Sequence, residues 1–244
     1  MDTSNLPPLE LAETGTRDRK LDRRLFMQLQ AFGGCDDPTS LARALETRQM
    51  PAVLYEDFHD PFGVAVLGMS DDPDFLAGPW REMLRSEPFR SLVPKPMYTM
   101  VGRTYSLGYE PDLEDTLLHR PRRTATNPDW PWAIWYPLRR SGQFSRLPLE
   151  EQKQHLKEHG RIGFRYGRAD AAHDIRLASH GMDTHDNDFT VAVVGPELSP
   201  LSKLVEEMRG TVQTSLYLER LGPFFVGRTV WQAPADVRPP ASGA

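Results

Sequence analysis

What most constrains this chain is an order of elements that runs once through its first half and partly returns in the second. "LFMQLQAFGG" has partial period-two alternation and ends in a glycine pair, which predicts a strand. "DDPTSLARALETR" opens on a capping residue, Asp37 or Thr39, and sets Leu41, Ala44 and Leu45 at helical spacing. "AVLYEDF" and "GVAVLGMS" flank "HDPF" as the two arms of a hairpin. "DPDFLAGPWREMLRS" predicts a helix interrupted at Gly78-Pro79, and "PMYTMVGRTYSLGYE" a long strand. The order is β-α-β-β-α-β, the split unit of ferredoxin-like folds.

"HRPRRTATNPDW" reads as a loop, and after it the order resumes. "WAIWYPLRR" is a strand, and "LPLEEQKQHLKEHG" a helix opened by Pro148 and stopped by Gly160. Residues 161–180 read as a broken, polar strand, and "DFTVAVVG" as an alternating one. "SPLSKLVEEMRGTVQTSLYLER" is an amphipathic helix bending near Gly210, and "PFFVGRTV" a last strand. The expected class is α+β: two ferredoxin-like halves, 21–125 and 126–232, forming a barrel-like subunit of the dimeric α+β barrel type. Such sheets can enclose a cavity between sheet and helices. Residues 1–20 and 233–244 are polar, Pro-rich and without periodicity, so both are expected to lack structure.

Composition narrows the function. With 39% hydrophobic and 26% charged residues the chain can build a real core. A net charge of -5 argues against a nucleic-acid binder. A single cysteine, Cys35, leaves no intramolecular disulfide and suits a reducing compartment. The first twenty residues have no apolar core of a signal peptide, and no apolar run approaches the ~18 residues of a membrane span. The expectation is a cytoplasmic protein.

"QKQHLKEHGRIG" carries the strongest chemical signal. His155, Glu158 and His159 match H-x-x-E-H, in which two imidazoles on one helix face bind zinc and the glutamate acts as base. A zinc hydrolase needs a third ligand, and this helix is highly charged. The plainer reading leaves His155 solvated, among Glu150, Glu151, Lys153 and Lys157. His159 differs: it stands three residues after Leu156 and just before Gly160, at an expected helix C-terminus. Between Trp132 and Arg176 the sequence has nine basic residues and five acidic ones, although the whole chain is acidic. Such a segment is either a solvated face or a pocket for a polyanion, since guanidinium forks pair carboxylates.

"WAIWYPLRR", a helix ending "EHG", then "DNDF", "LVEEMR" and "GPFFVG" together resemble the chlorite dismutase-like family, over roughly residues 130–230. That family includes chlorite dismutases and coproheme decarboxylases. The resemblance implies two ferredoxin-like halves, a homopentamer, and haem b or iron-coproporphyrin III (coproheme) held by one proximal histidine, here His159. It leaves His155 without a role.

For a decarboxylase, the resemblance implies that Tyr136 is oxidised with hydrogen peroxide as oxidant and attacks a propionate. Arg140 would pair a propionate. The plain alternative for Tyr136 is an aromatic packed within a strand. For a chlorite dismutase, Arg176 falls at or near the place of the distal arginine, where decarboxylases mostly carry a neutral side chain. His119, His173 and His180 are candidates for a distal histidine base. Tyr217 stands near where relatives place a propionate-binding arginine, and Pro223 where a serine is frequent, so propionate anchoring would be rearranged. The expected function is peroxide-dependent decarboxylation of coproheme to haem b. Chlorite dismutase is the alternative, followed by a non-catalytic haem-binding protein or the zinc hydrolase.

Overall fold

The computed structural model describes residues 8–237. The strands are β1 (Glu13–Thr14), β2 (Lys20–Leu21), β3 (Phe26–Gly33), β4 (Ala52–Asp57), β5 (Val64–Ser70) and β6 (Val93–Pro94), then β7 (Met100–Arg103), β8 (Trp132–Arg140), β9 (His173–Ala178), β10 (Phe189–Gly195), β11 (Leu218–Leu221) and β12 (Phe225–Gln232). The helices are α1 (Pro38–Thr47), α2 (Pro73–Ala77), α3 (Pro79–Leu84), α4 (Arg120–Ala125), α5 (Gly142–Arg146), α6 (Leu149–Arg168), α7 (Leu198–Arg209) and α8 (Val212–Tyr217).

The first half orders its strands β4-β5-β3-β7 and the second β9-β10-β8-β12. Counted within each half, both orders are 2-3-1-4, the ferredoxin-like arrangement expected from the sequence. One seam joins β12 to β4, from Gly227 opposite Asp57 to Gln232 opposite Val53. The other is a single pairing of Arg103 with Ala178. These two seams close the antiparallel sheet on itself. The second seam needs Gly102, because a Cβ there would lie 2.6 Å from that of Leu177.

Strand alternation then fixes three layers. Met27, Leu29, Tyr55, Leu67, Trp135 and Phe225 point into the barrel. The outer face of the first half buries Leu54, Val66 and Trp80 against α1 to α3. The outer face of the second half sets Ile134, Tyr136 and Val193 against α6 and α7. Each buried Leu, Val or Phe contributes about 1.5–3 kcal/mol.

Several expectations fail for identifiable reasons. Residues 8–20 do not lack structure. β1 pairs with β2, and the Glu13 carboxylate accepts from Arg24, Arg103 and the Ser106 backbone N–H. Residues 1–7 and 238–244 lie outside the described residues, while Ala233 is buried and donates its N–H to Ala52 O. The strand expected over 96–110 is only β7: the Thr104 N–H still donates to Leu25 O, but the Thr104 hydroxyl takes the Leu25 N–H and donates to Leu117 O, and the ladder goes no further. "HRPRRTATNPDW" is not all loop: Asp115–His119 and α4 are helical, with Leu117, Leu118 and Ala125 packed into the barrel core. The largest miss is α6, which does not stop at Gly160 but runs twenty residues to Arg168, so that only 173–178 is strand. Interior glycines cost about 1 kcal/mol each in a helix; packing of Ile162 and Tyr166 against the second half's outer core offsets them.

Candidate functional site

A cavity of about 520 Å³ opens between the outer face of β8, β9 and β10 and helices α6, α7 and α8. Its sheet wall is set by register. Tyr136 pairs with Val191, and Val191 with Arg176, so these three side chains form one row across three strands. Tyr136 is buried, its ring 4.9 Å from that of Phe224. Burial, helped by the charge of Asp174, raises its pKa far above the ordinary phenol value. Arg176 pairs through Nε with Asp174 Oδ2 at 2.8 Å. Burial is the largest influence and opposes its charge, but Asp174 together with Tyr105, Tyr109 and Glu110 outweighs it, and the net shift is upward.

The helix wall carries His159. Its Nδ1 lies 3.3 Å from Thr211 Oγ1. The Thr211 hydroxyl has Met208 O at 2.8 Å and Thr214 Oγ1 at 3.2 Å as acceptors for its one proton, and with the proton on either it accepts from His159. Nδ1 therefore carries the hydrogen and Nε2 keeps a lone pair. Burial first, and then Arg140, lower the pKa of the ring and hold it neutral. A neutral imidazole with one nitrogen fixed by a hydrogen bond is the form that ligates a metal. His159 does not stand at a helix C-terminus, as the sequence led us to expect, because α6 continues for nine residues beyond it.

The same helix supplies room. A Cβ at Gly160 would meet nothing within 4 Å, and one at Gly163 only Met208 Cε at 3.5 Å. The result is a bare helix face opposite a strand face, a slot suited to a flat ligand. Arg120, Arg168, Arg176 and Arg209 stand on the cavity wall. The Oε1 of Gln213, a residue only 6% exposed, has no partner and also belongs to this wall.

Of the residues singled out from sequence, the structure brings Tyr136, His159 and Arg176 to this one cavity. Arg140 is not among its lining residues. Its guanidinium lies over Phe144 at 4.5 Å and Phe189 at 4.9 Å, and its buried Nε has no hydrogen-bond partner. His173 reaches the wall but stacks on Trp130 at 3.6 Å and bonds Asp170 at 2.8 Å. His180 is exposed and 3.7 Å from Asp188, and His119 lies near Glu114 away from the cavity.

The H-x-x-E-H residues separate. His155 is not fully solvated but half-buried beside Tyr217, at 5.8 Å. Glu158 accepts from Val212 N at 3.1 Å and so caps α8. Among the described residues, no three His, Cys, Asp or Glu side chains are grouped to hold a metal ion. That removes the geometry a zinc hydrolase needs.

Four features of the site were missed from sequence: Asp174, Thr211, Gln213 and the glycine face. Period-two alternation in "HDIRLA" puts Asp174 beside Arg176 once the strand is placed at 173–178. Nothing in the sequence ties Thr211 to a helix fifty residues earlier.

A sequence model of the chlorite dismutase family matches residues 66–230. The chain belongs to the chlorite dismutase family. A provisionally named heme-binding protein of Haloarcula marismortui is 30% identical over 138 residues, a match covering 54% of this chain but only 20% of that relative's length. A heme-binding protein from Thermus thermophilus shares the fold at a TM-score of 0.67 and 19% identity, over 88% of this chain and 93% of the other. Chlorite dismutase from Candidatus Nitrospira defluvii, in complex with imidazole, shares it at a TM-score of 0.63 and 14% identity, over 88% and 94%. As a chlorite dismutase family member, this chain puts its cavity in the half where the family model and the sequence motifs overlap. No helix among the described residues is long and apolar enough to cross a membrane.

Proposed function

We propose that this chain binds an iron tetrapyrrole through His159 and decarboxylates the propionates of coproheme with hydrogen peroxide. The observation that carries the reading is Tyr136, buried in the sheet wall of the cavity that His159 faces from α6. The bound iron supplies the oxidising power drawn from peroxide. Each propionate loses a hydrogen atom, carbon dioxide and one electron to become a vinyl group, while one peroxide is reduced to two waters. The hydrogen atom passes to the oxidised Tyr136 oxygen and restores the phenol. Burial keeps that phenol protonated between turnovers. Arg168 and Arg209, rising from α6 and α7, offer charge to the carboxylates. Arg140 is retained as a propionate partner on the strength of its unpartnered Nε, reached through movement of Phe144 or Phe189.

Chlorite dismutase is the second reading, favoured by Arg176 on the sheet wall. In the cell we place the protein in the cytoplasm as a homo-oligomer, a pentamer after the family pattern.

The test adds iron-coproporphyrin to purified protein and records the visible spectrum. A Soret band present in the wild type and lost in His159→Ala is expected. The loaded protein is then given peroxide or chlorite. Vinyl product from peroxide supports the decarboxylase, whereas rapid oxygen release from chlorite would replace it with the dismutase. Pigment retained unchanged by His159→Ala would refute the ligand assignment.

A further inference from the structure

The cavity holds one acid among four arginines on its wall, and its place is specific. Asp174 and Arg176 are two apart on β9, so the strand's period of two puts both on the cavity face. Register extends the arrangement: Asp174 shares a row with Val193, next to the row that holds Arg176, Val191 and Tyr136. The carboxylate engages Nε of the guanidinium at 2.8 Å. A guanidinium has five N–H donors, and this contact uses the inner one. The terminal nitrogens keep their donors, but the pair as a whole carries no net charge. Arg120, Arg168 and Arg209 belong to helices α4, α6 and α7, so their charge lies off the strand wall.

A lone arginine would favour a small anion by direct charge attraction. A neutralised arginine still donates hydrogen bonds to a neutral ligand, while its pull on an anion falls to that of a dipole. We propose that Asp174 is a specificity-setting residue: by cancelling the charge of Arg176 it lets the cavity take neutral hydrogen peroxide and turns away small anions such as chlorite. Asp174 acts through Arg176 and is a positioning residue, not a catalytic one. The inference rests on the tetrapyrrole reading above and decides between its two oxidants.

Azide is the probe anion and imidazole the neutral control, each titrated against protein loaded with iron(III)-coproporphyrin and followed by the Soret shift. Asp174→Asn is expected to bind azide at least tenfold more tightly than wild type, about 1.4 kcal/mol. Imidazole affinity should stay within twofold, and Asp174→Glu should restore weak azide binding. The Asp174 side chain is 56% exposed, so the fold should tolerate the change, and Asp174→Ser serves as a second variant. Azide affinity unchanged or weakened in both variants overturns the proposal while leaving the tetrapyrrole reading intact. A wild-type protein that shows no Soret band ends both, and the missing band identifies which failed first.

Discussion

On the outer face of the first half, a Cβ placed on Gly68 would lie 2.6 Å from the indole of Trp80. On the outer face of the second half, a Cβ placed on Gly160 would meet nothing within 4 Å. The two halves share one strand order, so the sheet does not explain the difference. The covering helices do. α2 and α3 bring Phe75, Trp80 and Met83 down onto the first sheet, and Trp80 even finds Gln28 Oε1 for its N–H at 3.0 Å. α6 crosses the second sheet with no fully buried side chain and with glycines at 160, 163 and 167 toward the gap. One half uses its glycine to admit a side chain, and the other uses glycines to leave a slot. A repeated scaffold thus becomes asymmetric through its helices, with one face closed by packing and one left open.

This division between a closed and an open face is challenged most forcefully at Trp80. Trp80→Ala should cost about 3–5 kcal/mol, read as a lower urea midpoint, with pigment binding per folded molecule unchanged. Loss of the Soret band in the still-folded fraction would mean the halves are not separable in this way. Gly68→Ala should cost about 1–3 kcal/mol through overpacking. Gly163→Leu should do the reverse, raising the apo protein's stability by up to about 1 kcal/mol as a better helix former while abolishing the Soret band. Equal destabilisation by both glycine changes would contradict the slot.

The smallest expected effect is on pH dependence. The His159 pKa is lowered in the folded apo protein, chiefly by burial, so below about pH 6.5 the unfolded chain takes up a proton that the folded chain refuses. Apo stability should therefore fall as pH drops through about 6.5 and be flat in this respect above it. His159→Gln should lose that part of the slope in thermal melts at stepped pH.

The strands β3, β8 and β10, the hairpin of β4 and β5, and the capped start of α1 at Asp37 were legible because they are local. His159 was singled out for a helix end at Gly160 that the structure does not have; its half-buried place on the cavity wall comes from the packing of α6 beside α8. The continuation of α6 was not legible, because three glycines in eight residues read as a stop, and the packing of Ile162 and Tyr166 that carries the helix past them is tertiary. The sequence places Arg140 on the cavity side of β8 but does not show the direction of its guanidinium, which is chosen by Phe144 and Phe189, outside the strand. Thr211 and Glu158 link α6 and α8 across some fifty residues of chain, and such tertiary hydrogen bonds leave no periodic trace.

The functional reading turns on Tyr136 performing chemistry and not merely filling the sheet wall. It is tested most directly by loading wild type and Tyr136→Phe with iron-coproporphyrin, adding hydrogen peroxide, and following the pigment by mass spectrometry. The account predicts equal Soret bands in both, vinyl product in the wild type, and intact propionates in the variant. Vinyl product formed by Tyr136→Phe at the wild-type rate would contradict it.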